Sequence, residues 1–341
     1  MYYIIDTDCL EWDKCLNDMP LQYRDIYFTS GYYKLYELNG DGIGKMFIYE
    51  ENGKTVLYPF LLNEINGYGL EKKCYDIQTA YGYGGPISNC GDELFLKNSE
   101  ECFLKYCTTS NIIAEFIRFH PLIKNERLFK ENIEVLHNRK TVYLKLEEDI
   151  QTIWNEYISS KCRNMIRKAK KNNLKVIKNN DYKVFKQIYE KTMDKVGAAK
   201  EYYFHDKYYH EMSKNESFII MNVLKDDLVI ASSLFMIYGD YFHYHLSGTK
   251  KDYLKYASNN ILLWEAIKFA QQSKCKFFHF GGGLKDNEED SLYLFKKSFS
   301  KTTSDFYIGK RIHNENIYYY LIDKWEKKNG RKADLFLSYR Y

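Results

Sequence analysis

The sequence predicts a protein of two domains that mixes helices and strands in an α/β or α+β arrangement. A chain of 341 residues is too long for one compact core, and domains commonly contain roughly 150 residues. Apolar residues make up 45% of the chain and charged residues 28%, as is typical of globular proteins. All four prolines fall in the first 121 residues. This change in loop composition favours a domain boundary near residue 146.

Each half contains recognisable helix and strand patterns. The alternating run Met46–Leu62 predicts a hairpin that turns at Asn52-Gly53. Helical spacing follows over Asp92–Thr108, and a buried strand begins at Ile112. In the second half, a helix begins near Ile150. The alternation of both element types supports the mixed fold class.

Charge, cysteines and the N-terminus predict a reduced, cytoplasmic protein. The net charge of +4 is too small for a protein that coats nucleic acid, so a DNA partner is not expected. The eight cysteines include no C-x-x-C pair, and the N-terminus lacks a signal peptide pattern. No window approaches the ~18 apolar residues that a membrane helix needs. Peripheral association with the inner face of a membrane stays open.

A strongly basic helix is predicted at the start of the second half. Lys161–Lys175 contains seven lysines and arginines and no acid. Cys162, Ile166 and Ala169 recur at helical spacing and form one apolar stripe, and Asn172-Asn173 is expected to end the helix. Two interpretations remain open: a solvated charged surface, or a wall that binds phosphates or carboxylates.

A strand, loop, helix and strand follow in that order. Two antiparallel strands are predicted around Gly239-Asp240, and alternation places Tyr241, His243 and His245 on one face of the second. Next comes a helix from about Asn259 to Gln272, with Ser258 as its predicted N-cap. The strand Lys276–Phe280 then ends at three glycines. A helix N-terminus placed in this way favours an anion such as a pyrophosphate.

Six short blocks carry a family resemblance. In chain order they are TAYGYGGPIS (79–88), FIRFHPL (116–122), SSKCRNMIRKAKKN (159–172), ASNNILLWEAIKFA (257–270), FHFGGG (278–283) and LYLFKKSFS (292–300). They resemble blocks of the Fem-type transferases, which attach amino acids from aminoacyl-tRNA to peptidoglycan precursors. The resemblance spans about residues 25–310.

The resemblance implies two tandem GNAT-like acyltransferase domains, each a mixed, mostly antiparallel sheet flanked by helices. We expect the domains to span residues 1–146 and 147–315, with a helix and tail at 316–341 that packs back on the first domain. The long helical hairpin that some members insert is missing, since residues 173–215 are too few to supply it. No coiled-coil insertion is therefore predicted.

The resemblance also implies site residues. Phe295 and Lys296 match the family's Phe-Lys pair and are the predicted catalytic residues, with Lys297 as the alternative if the alignment shifts by one. The predicted substrate-binding residues are Tyr81, Tyr83, Gly84, Arg118, His120, Arg163, Arg167, Lys168, His243 and His245. The predicted cofactor-binding residues are Ser247, Gly248, Thr249, Ser258 and Asn259. A buried, purely structural role for Arg118 and His120 is the alternative.

The histidines of the second half raise the question of a metal. His243, His245 and His279 could point imidazoles at one ion, but no suitably placed cysteine or carboxylate completes a zinc set, so no metal is predicted. One of these histidines as a general base is an open alternative. At His279 relatives commonly show an acid, so an acidic role at that position is in doubt.

The sequence therefore predicts an N-acyltransferase or aminoacyltransferase. An amine of a cell-wall or surface-polysaccharide precursor, linked to a lipid or a nucleotide, would attack the donor carbonyl directly in the cleft between the domains. The expected donor is acyl-CoA, with aminoacyl-tRNA as the alternative. Lys296 would face the oxyanion. An RNA- or tRNA-binding protein and a catalytically inactive scaffold of the same fold are the rival functions.

Overall fold

The chain folds into two compact units. The computed structural model describes residues 1–341 apart from the side chain of Glu201. The first unit contains Met1–Asn138 together with Phe306–Tyr341, and the second contains Arg139–Asp305. The second unit thus begins before the predicted boundary at residue 146 and ends before residue 315. The first unit is built from two separate stretches of chain.

The first unit combines a sheet with four helices. Its strands are β1 (Tyr2–Asp6), β2 (Ile43–Glu51), β3 (Lys54–Glu64), β4 (Tyr75–Gln78), β5 (Ile87–Ser88), β6 (Ile112–Arg118), the start of β7 (Glu134–Lys145) and most of β13 (Thr303–Ile312). Its helices are α1 (Glu11–Asp18), α2 (Ser30–Asn39), α3 (Glu93–Thr109) and α10 (Glu315–Asn329). The strands lie in the order β1-β2-β3-β4-β6-β13, and β5 pairs with β3.

The second unit combines six strands with six helices. Besides the rest of β7, its strands are β8 (Lys175–Asn179), β9 (Phe218–Lys225), β10 (Leu228–Tyr238), β11 (Tyr241–Thr249) and β12 (Phe277–Gly282). Its helices are α4 (Ile150–Thr152), α5 (Ser160–Lys171), α6 (Tyr182–Val196), α7 (Asp206–Met212), α8 (Ser258–Gln272) and α9 (Ser291–Lys297). The strand order is β7-β12-β11-β10-β9-β8.

Both units follow one plan. Each sheet is antiparallel except for one parallel pair, which is β4 with β6 in the first unit and β11 with β12 in the second. A long helix connects the strands of each parallel pair, α3 in the first unit and α8 in the second. The mixed, mostly antiparallel sheets flanked by helices confirm the predicted fold class, and the described residues form no coiled coil.

Local sequence signals account for several element boundaries. Asn52 and Gly53 have φ of 51° and 76°, as the predicted hairpin turn between β2 and β3 requires. Helix α5 ends at Asn172, and Asn173 follows with φ of 56°. The helix predicted from Ile150 consists of α4 and a π-helical turn over Ile153–Tyr157.

The start of α8 differs from the prediction. Ser258 is the first helical residue and not the N-cap; the N-cap is Ala257, in a left-handed conformation with φ of 58°. No described side chain caps this end of α8. The prediction of a capping hydroxyl was therefore wrong, because the loop enters α8 through a left-handed residue that places Ser258 inside the helix.

Within the first unit, the last residues of the chain contact β4 and the loop between β3 and β4. The Tyr68 hydroxyl donates to the carbonyl oxygen of Tyr339 at 2.8 Å. Arg340 forms an ion pair of 2.6 Å with Asp76, which is fully buried. Trp325 of α10 donates its indole N–H to the carbonyl of Tyr341 at 2.7 Å. None of the described helices has the length and apolar character needed to cross a bilayer.

The core of the first unit contains a buried charge cluster. The Arg311 guanidinium on β13 pairs with Glu115 of β6 at 3.3 Å and with Glu100 of α3. Tyr58 of β3 donates its hydroxyl to Glu115 at 2.6 Å. Arg311 and Glu115 are at most 1% exposed, so each charge depends on the others for compensation. The cluster therefore links two neighbouring strands to the helix that covers them.

Replacing Glu115 with Gln should destabilise the protein strongly. We expect a loss of roughly 2–4 kcal/mol in the free energy of unfolding, because Arg311 would lose one of its two buried counter-charges. Urea denaturation would measure the loss. Glu101→Gln is the matched control, since Glu101 lies exposed on α3 and forms only a surface pair with Lys97. Equal stability of the two variants would contradict the assignment.

Candidate active site

The second unit contains a fork between two parallel strands. Strands β11 and β12 pair over Tyr241–His243 and Phe277–His279, and then continue to Thr249 and Gly282. Immediately after this pairing, each strand contains a β-bulge. In β11 the extra residue is His245, and in β12 it is Phe280. Because bulges bend and twist a strand, the two strands diverge just after the paired residues His243 and His279.

Lys296 lies in this fork. Its Nζ donates to the carbonyl oxygen of Gly282 on β12 at 2.6 Å. The same Nζ lies 5.7 Å from the ring centroid of Tyr244 on β11. Lys296 therefore contacts both arms of the fork from helix α9. Its side chain points into the unit although a lysine at the end of a short helix is usually solvated.

Burial changes the acidity of this lysine. Lys296 is 8% exposed, and desolvation lowers its pKa to about 7. The nearby charge of Asp290 acts in the opposite direction, and that of Arg139 acts in the same direction as burial. Residues around the amine, such as Gly282 and Tyr244, are half-buried, so the fork is accessible beside the lysine. Near neutral pH the amine can therefore exist in both protonation states.

The glycine turn at the end of β12 is held from two sides. Arg139 donates to the carbonyl oxygens of Gly283 at 2.7 Å and Leu284 at 2.9 Å. Asp290 accepts from the backbone N–H of Tyr293 at 2.8 Å and of Leu284 at 3.2 Å. A Cβ on Gly283 would lie 2.5 Å from Asp290 Oδ1. The glycine thus allows the close approach of Asp290 to the backbone that follows Gly282.

A group of hydroxyls continues along β10 and β11 beside Tyr244. Ser233 donates to Ser247 at 2.8 Å, and both serines lie near the Tyr244 hydroxyl. Burial raises the pKa of Tyr244, so the phenol keeps its proton. Ser247, predicted to bind the cofactor, thus lies on the arm of the fork that contacts Lys296.

Two other predicted cofactor residues meet at the start of α8. The Thr249 hydroxyl donates to the Asn259 side chain at 2.8 Å. Gly248 packs closely on α6, where a Cβ would lie 2.6 Å from the carbonyl oxygen of Ile188. The first amides of α8 lack a side-chain cap, and such groups form a favourable position for an anion.

His243 of β11 and His279 of β12 are buried, and His245 of β11 is half-buried. His243 and His279 are paired in the sheet register, with ring centroids 5.5 Å apart. The bulge at His245 interrupts the two-residue alternation that predicted one shared face for Tyr241, His243 and His245. Burial lowers the pKa of His245 to about 3. His245 is therefore a poor acceptor for the proton of an attacking amine.

The basic residues of α5 divide into two groups. Arg163 turns inward and donates to three backbone carbonyls, those of Trp154, Asn155 and Ile158, at 2.6–3.1 Å. It closes the π-helical turn, so its guanidinium is engaged by the backbone. Arg167 and Lys168 are exposed; Arg167 donates to Asn164 at 2.9 Å and lies 5.6 Å from the Trp154 ring.

In the first unit, His120 and Arg118 make structural contacts. His120 is fully buried, and its Nδ1 accepts backbone N–H groups of Ile123 at 3.1 Å and Leu122 at 3.3 Å. The ring proton therefore lies on Nε2, which donates to Asp25 at 2.8 Å. Arg118 donates to the carbonyl of Thr79 at 3.1 Å. These contacts match the structural alternative considered for both residues.

The predicted residues Tyr81, Tyr83 and Gly84 form a loop that Asn125 anchors. Asn125 donates to the carbonyls of Gly84 at 2.8 Å and Pro86 at 2.9 Å. The Tyr83 ring lies edge-on to His120 at 5.7 Å, and the carbonyl of Tyr81 accepts from Tyr32 at 2.5 Å. The loop is thus fixed beside the Asp25–His120 pair.

Several residues around these sites were absent from the sequence prediction. They are Arg139, Tyr244 and Asp290 in the second unit, and Asp25 and Asn125 in the first. Only Asp290 had a usable local signal, because an aspartate before an apolar helical run is typical of an N-cap. The others depend on contacts between residues distant in sequence.

Comparisons with known proteins agree with this architecture. Residues 160–289 match the family model described as an acetyltransferase (GNAT) domain. No curated protein matches the chain. Among solved structures, FemX superposes with a TM-score of 0.70 at 13% identity, covering 94% of this chain and 99% of FemX.

Two further structures are similar over most of their length. L-PGS from Bacillus licheniformis gives a TM-score of 0.56 at 11% identity, with 90% of this chain and 92% of that chain covered. A conserved protein of unknown function from Bacteroides thetaiotaomicron gives 0.55 at 11% identity, with 91% and 100% covered. At such identities the likeness concerns the fold. The chain has a Fem-type, GNAT-like fold that includes a match to the acetyltransferase (GNAT) domain.

Proposed function

We propose that the protein is an N-acyltransferase that moves an acyl or aminoacyl group from a carrier onto an amine, with Lys296 stabilising the oxyanion that forms. The observation that carries this proposal is the buried amine of Lys296 in the fork between β11 and β12. A lysine placed this way costs stability, since burial disfavours its charge. Such residues cluster at functional sites.

The proposed reaction is direct transfer without a covalent enzyme intermediate. The acceptor nitrogen attacks the donor carbonyl, a C–N bond forms, and the carbonyl oxygen becomes an oxyanion. When this intermediate collapses, the C–S bond of a thioester breaks, and the proton lost by the amine neutralises the departing thiolate. The ammonium of Lys296 would donate to the oxyanion in an environment of low dielectric, where one donor has a large effect.

Acyl-CoA is our proposed donor. The GNAT domain match supports acyl-CoA as the carrier. The uncapped start of α8, with Thr249 and Asn259 beside it, supports a carrier that contains phosphate groups. Aminoacyl-tRNA is the alternative donor. For the acceptor we propose an amine on a cell-wall or surface-polysaccharide precursor linked to a lipid or nucleotide. The resemblance of the six sequence blocks to the Fem-type transferases, which attach amino acids to peptidoglycan precursors, supports this acceptor class.

Replacing Lys296 should remove most of the activity. We expect Lys296→Ala to lower kcat by roughly 10²–10³-fold, since an oxyanion donor is lost. Lys296→Arg should retain a larger fraction because the guanidinium keeps its charge. Thiol release from acetyl-CoA and longer acyl-CoAs, with a panel of amine acceptors, would measure the rates. Lys297→Ala on the same helix is the control, and unchanged turnover in both Lys296 variants would refute the role.

The pH dependence of the activity should report the ionisation of Lys296. Below a pKa of about 7 Lys296 is an ammonium, and above it the neutral amine predominates. If the ammonium stabilises the oxyanion, the ratio of wild-type to Lys296→Arg activity falls as pH rises through about 7. This ratio removes the contribution of the acceptor amine, which both enzymes share. A ratio that rises with pH would instead identify Lys296 as a general base.

The donor can be tested independently of catalysis. A bound acyl-CoA at about 100 times its Kd should add about 2.7 kcal/mol to the stability, which corresponds to roughly 5–10 °C in Tm for a cooperative unit of about 150–250 residues, such as the second unit. Differential scanning calorimetry with acetyl-CoA and longer acyl-CoAs would measure the shift, with AMP as the control ligand. Absence of a shift with every acyl-CoA would exclude this donor class and favour aminoacyl-tRNA.

A further inference from the structure

The positive charge of the chain is concentrated in one short segment. Residues 157–180 contain eight lysines and arginines and no acid; these are Lys161, Arg163, Arg167, Lys168, Lys170, Lys171, Lys175 and Lys178. The rest of the chain holds 42 basic and 46 acidic residues, a net charge of −4. The small net charge of the whole chain therefore conceals a strong asymmetry in where the charges lie along the sequence. Such an asymmetry orients a protein in an electric field.

The structure shows where this charge lies. Helix α5 buries Cys162, Ile166 and Ala169, which define its inner side. The opposite side carries Lys161, Arg167, Lys168 and Lys171, all of them exposed; we call these four the basic face of α5. A helix of 12 residues is about 18 Å long. The four cations thus form a patch on the solvent side of one helix.

We propose that the basic face of α5 docks the protein on an anionic lipid bilayer. Each lysine or arginine that lies close to such a surface is attracted to it by about 1 kcal/mol. Four of them therefore give appreciable binding without any inserted segment. This docking does not depend on Lys296 or on acyl transfer. It would bring the protein to the surface at which lipid-linked acceptors are presented.

The composition of the face favours lipid over RNA. Three of its four cations are lysines, which act as point charges, whereas planar recognition of single phosphates favours arginine. Arg163, the other arginine of α5, is occupied by backbone carbonyls. Residues 159–172 contain no aromatic side chain on which a base could stack, and the Trp154 ring beside Arg167 packs against the core of the second unit. A diffuse anionic surface matches this set better than a folded RNA.

Vesicle sedimentation with the full chain tests the proposal. The probes are large unilamellar vesicles of phosphatidylcholine alone and of phosphatidylcholine mixed with equal phosphatidylglycerol. We expect binding to the anionic vesicles only, weakening as NaCl is added. Replacing Lys161, Arg167, Lys168 and Lys171 together with Gln should reduce binding by at least about 100-fold, since each charge contributes about fivefold.

A matched control separates the face from net charge. Lys324, Lys327, Lys328 and Lys332 are also exposed, and changing all four to Gln removes the same total charge from the first unit. This control should still sediment, and thermal melts should show that both variants fold. Equal loss in both quadruple variants would overturn the proposal.

Two further results would also overturn it. One is equal binding of the wild type to both vesicle types. The other is binding of bulk tRNA that the basic-face variant loses, without any binding to vesicles. Lys296→Arg should sediment like the wild type, because Lys296 lies outside the basic face. Loss of transfer in Lys296→Arg with intact docking would therefore be distinguishable from loss of docking in the basic-face variant.

Discussion

The divergence of β11 and β12 after His243 and His279 is the constraint on which the candidate site depends. A bulge in each strand ends their pairing, and the backbone of β12 is then free to offer the Gly282 carbonyl to a side chain. Lys296, on helix α9, donates a hydrogen bond to that carbonyl. Without the fork the same lysine would have no buried acceptor, and the cost of desolvating its amine would drive it into solvent. Burial in the fork thus lowers the pKa of the Lys296 amine.

Much of the local structure follows from sequence. Asn52-Gly53 specified its turn, the stripe of Cys162, Ile166 and Ala169 specified α5, and Asn172-Asn173 specified its end, because these signals act over a few residues. The start of α8 was harder. Its entry uses a left-handed alanine, which no residue preference announces. Signals that extend over one turn can be read, whereas loop conformations that tertiary contacts impose cannot.

The candidate site was only partly accessible from sequence. Lys296 could be named through a family resemblance, but its neighbours Arg139 and Tyr244 come from strands far away in the chain, and the bulge at His245 depends on pairing with β10. Arginine and histidine illustrate a second limit. Arg163 and His120 have the chemistry of ligand-binding residues, yet Arg163 donates to backbone carbonyls, and His120 accepts from backbone N–H groups and donates to Asp25. The type of a residue does not show whether its side chain will bind a ligand or a backbone group of the same chain.

The interruption of the first unit by the second has a consequence for synthesis. Arg311 is made about 200 residues after Glu115 and Glu100, its two buried partners. While the chain emerges from the ribosome, Glu100 and Glu115 therefore have no guanidinium to pair with until Arg311 is made. The sheet of the first unit also lacks β13 until then. The second unit, Arg139–Asp305, is continuous and has all its strands earlier. We expect the order of folding to reverse the order of translation, with the N-terminal residues reaching their final structure last.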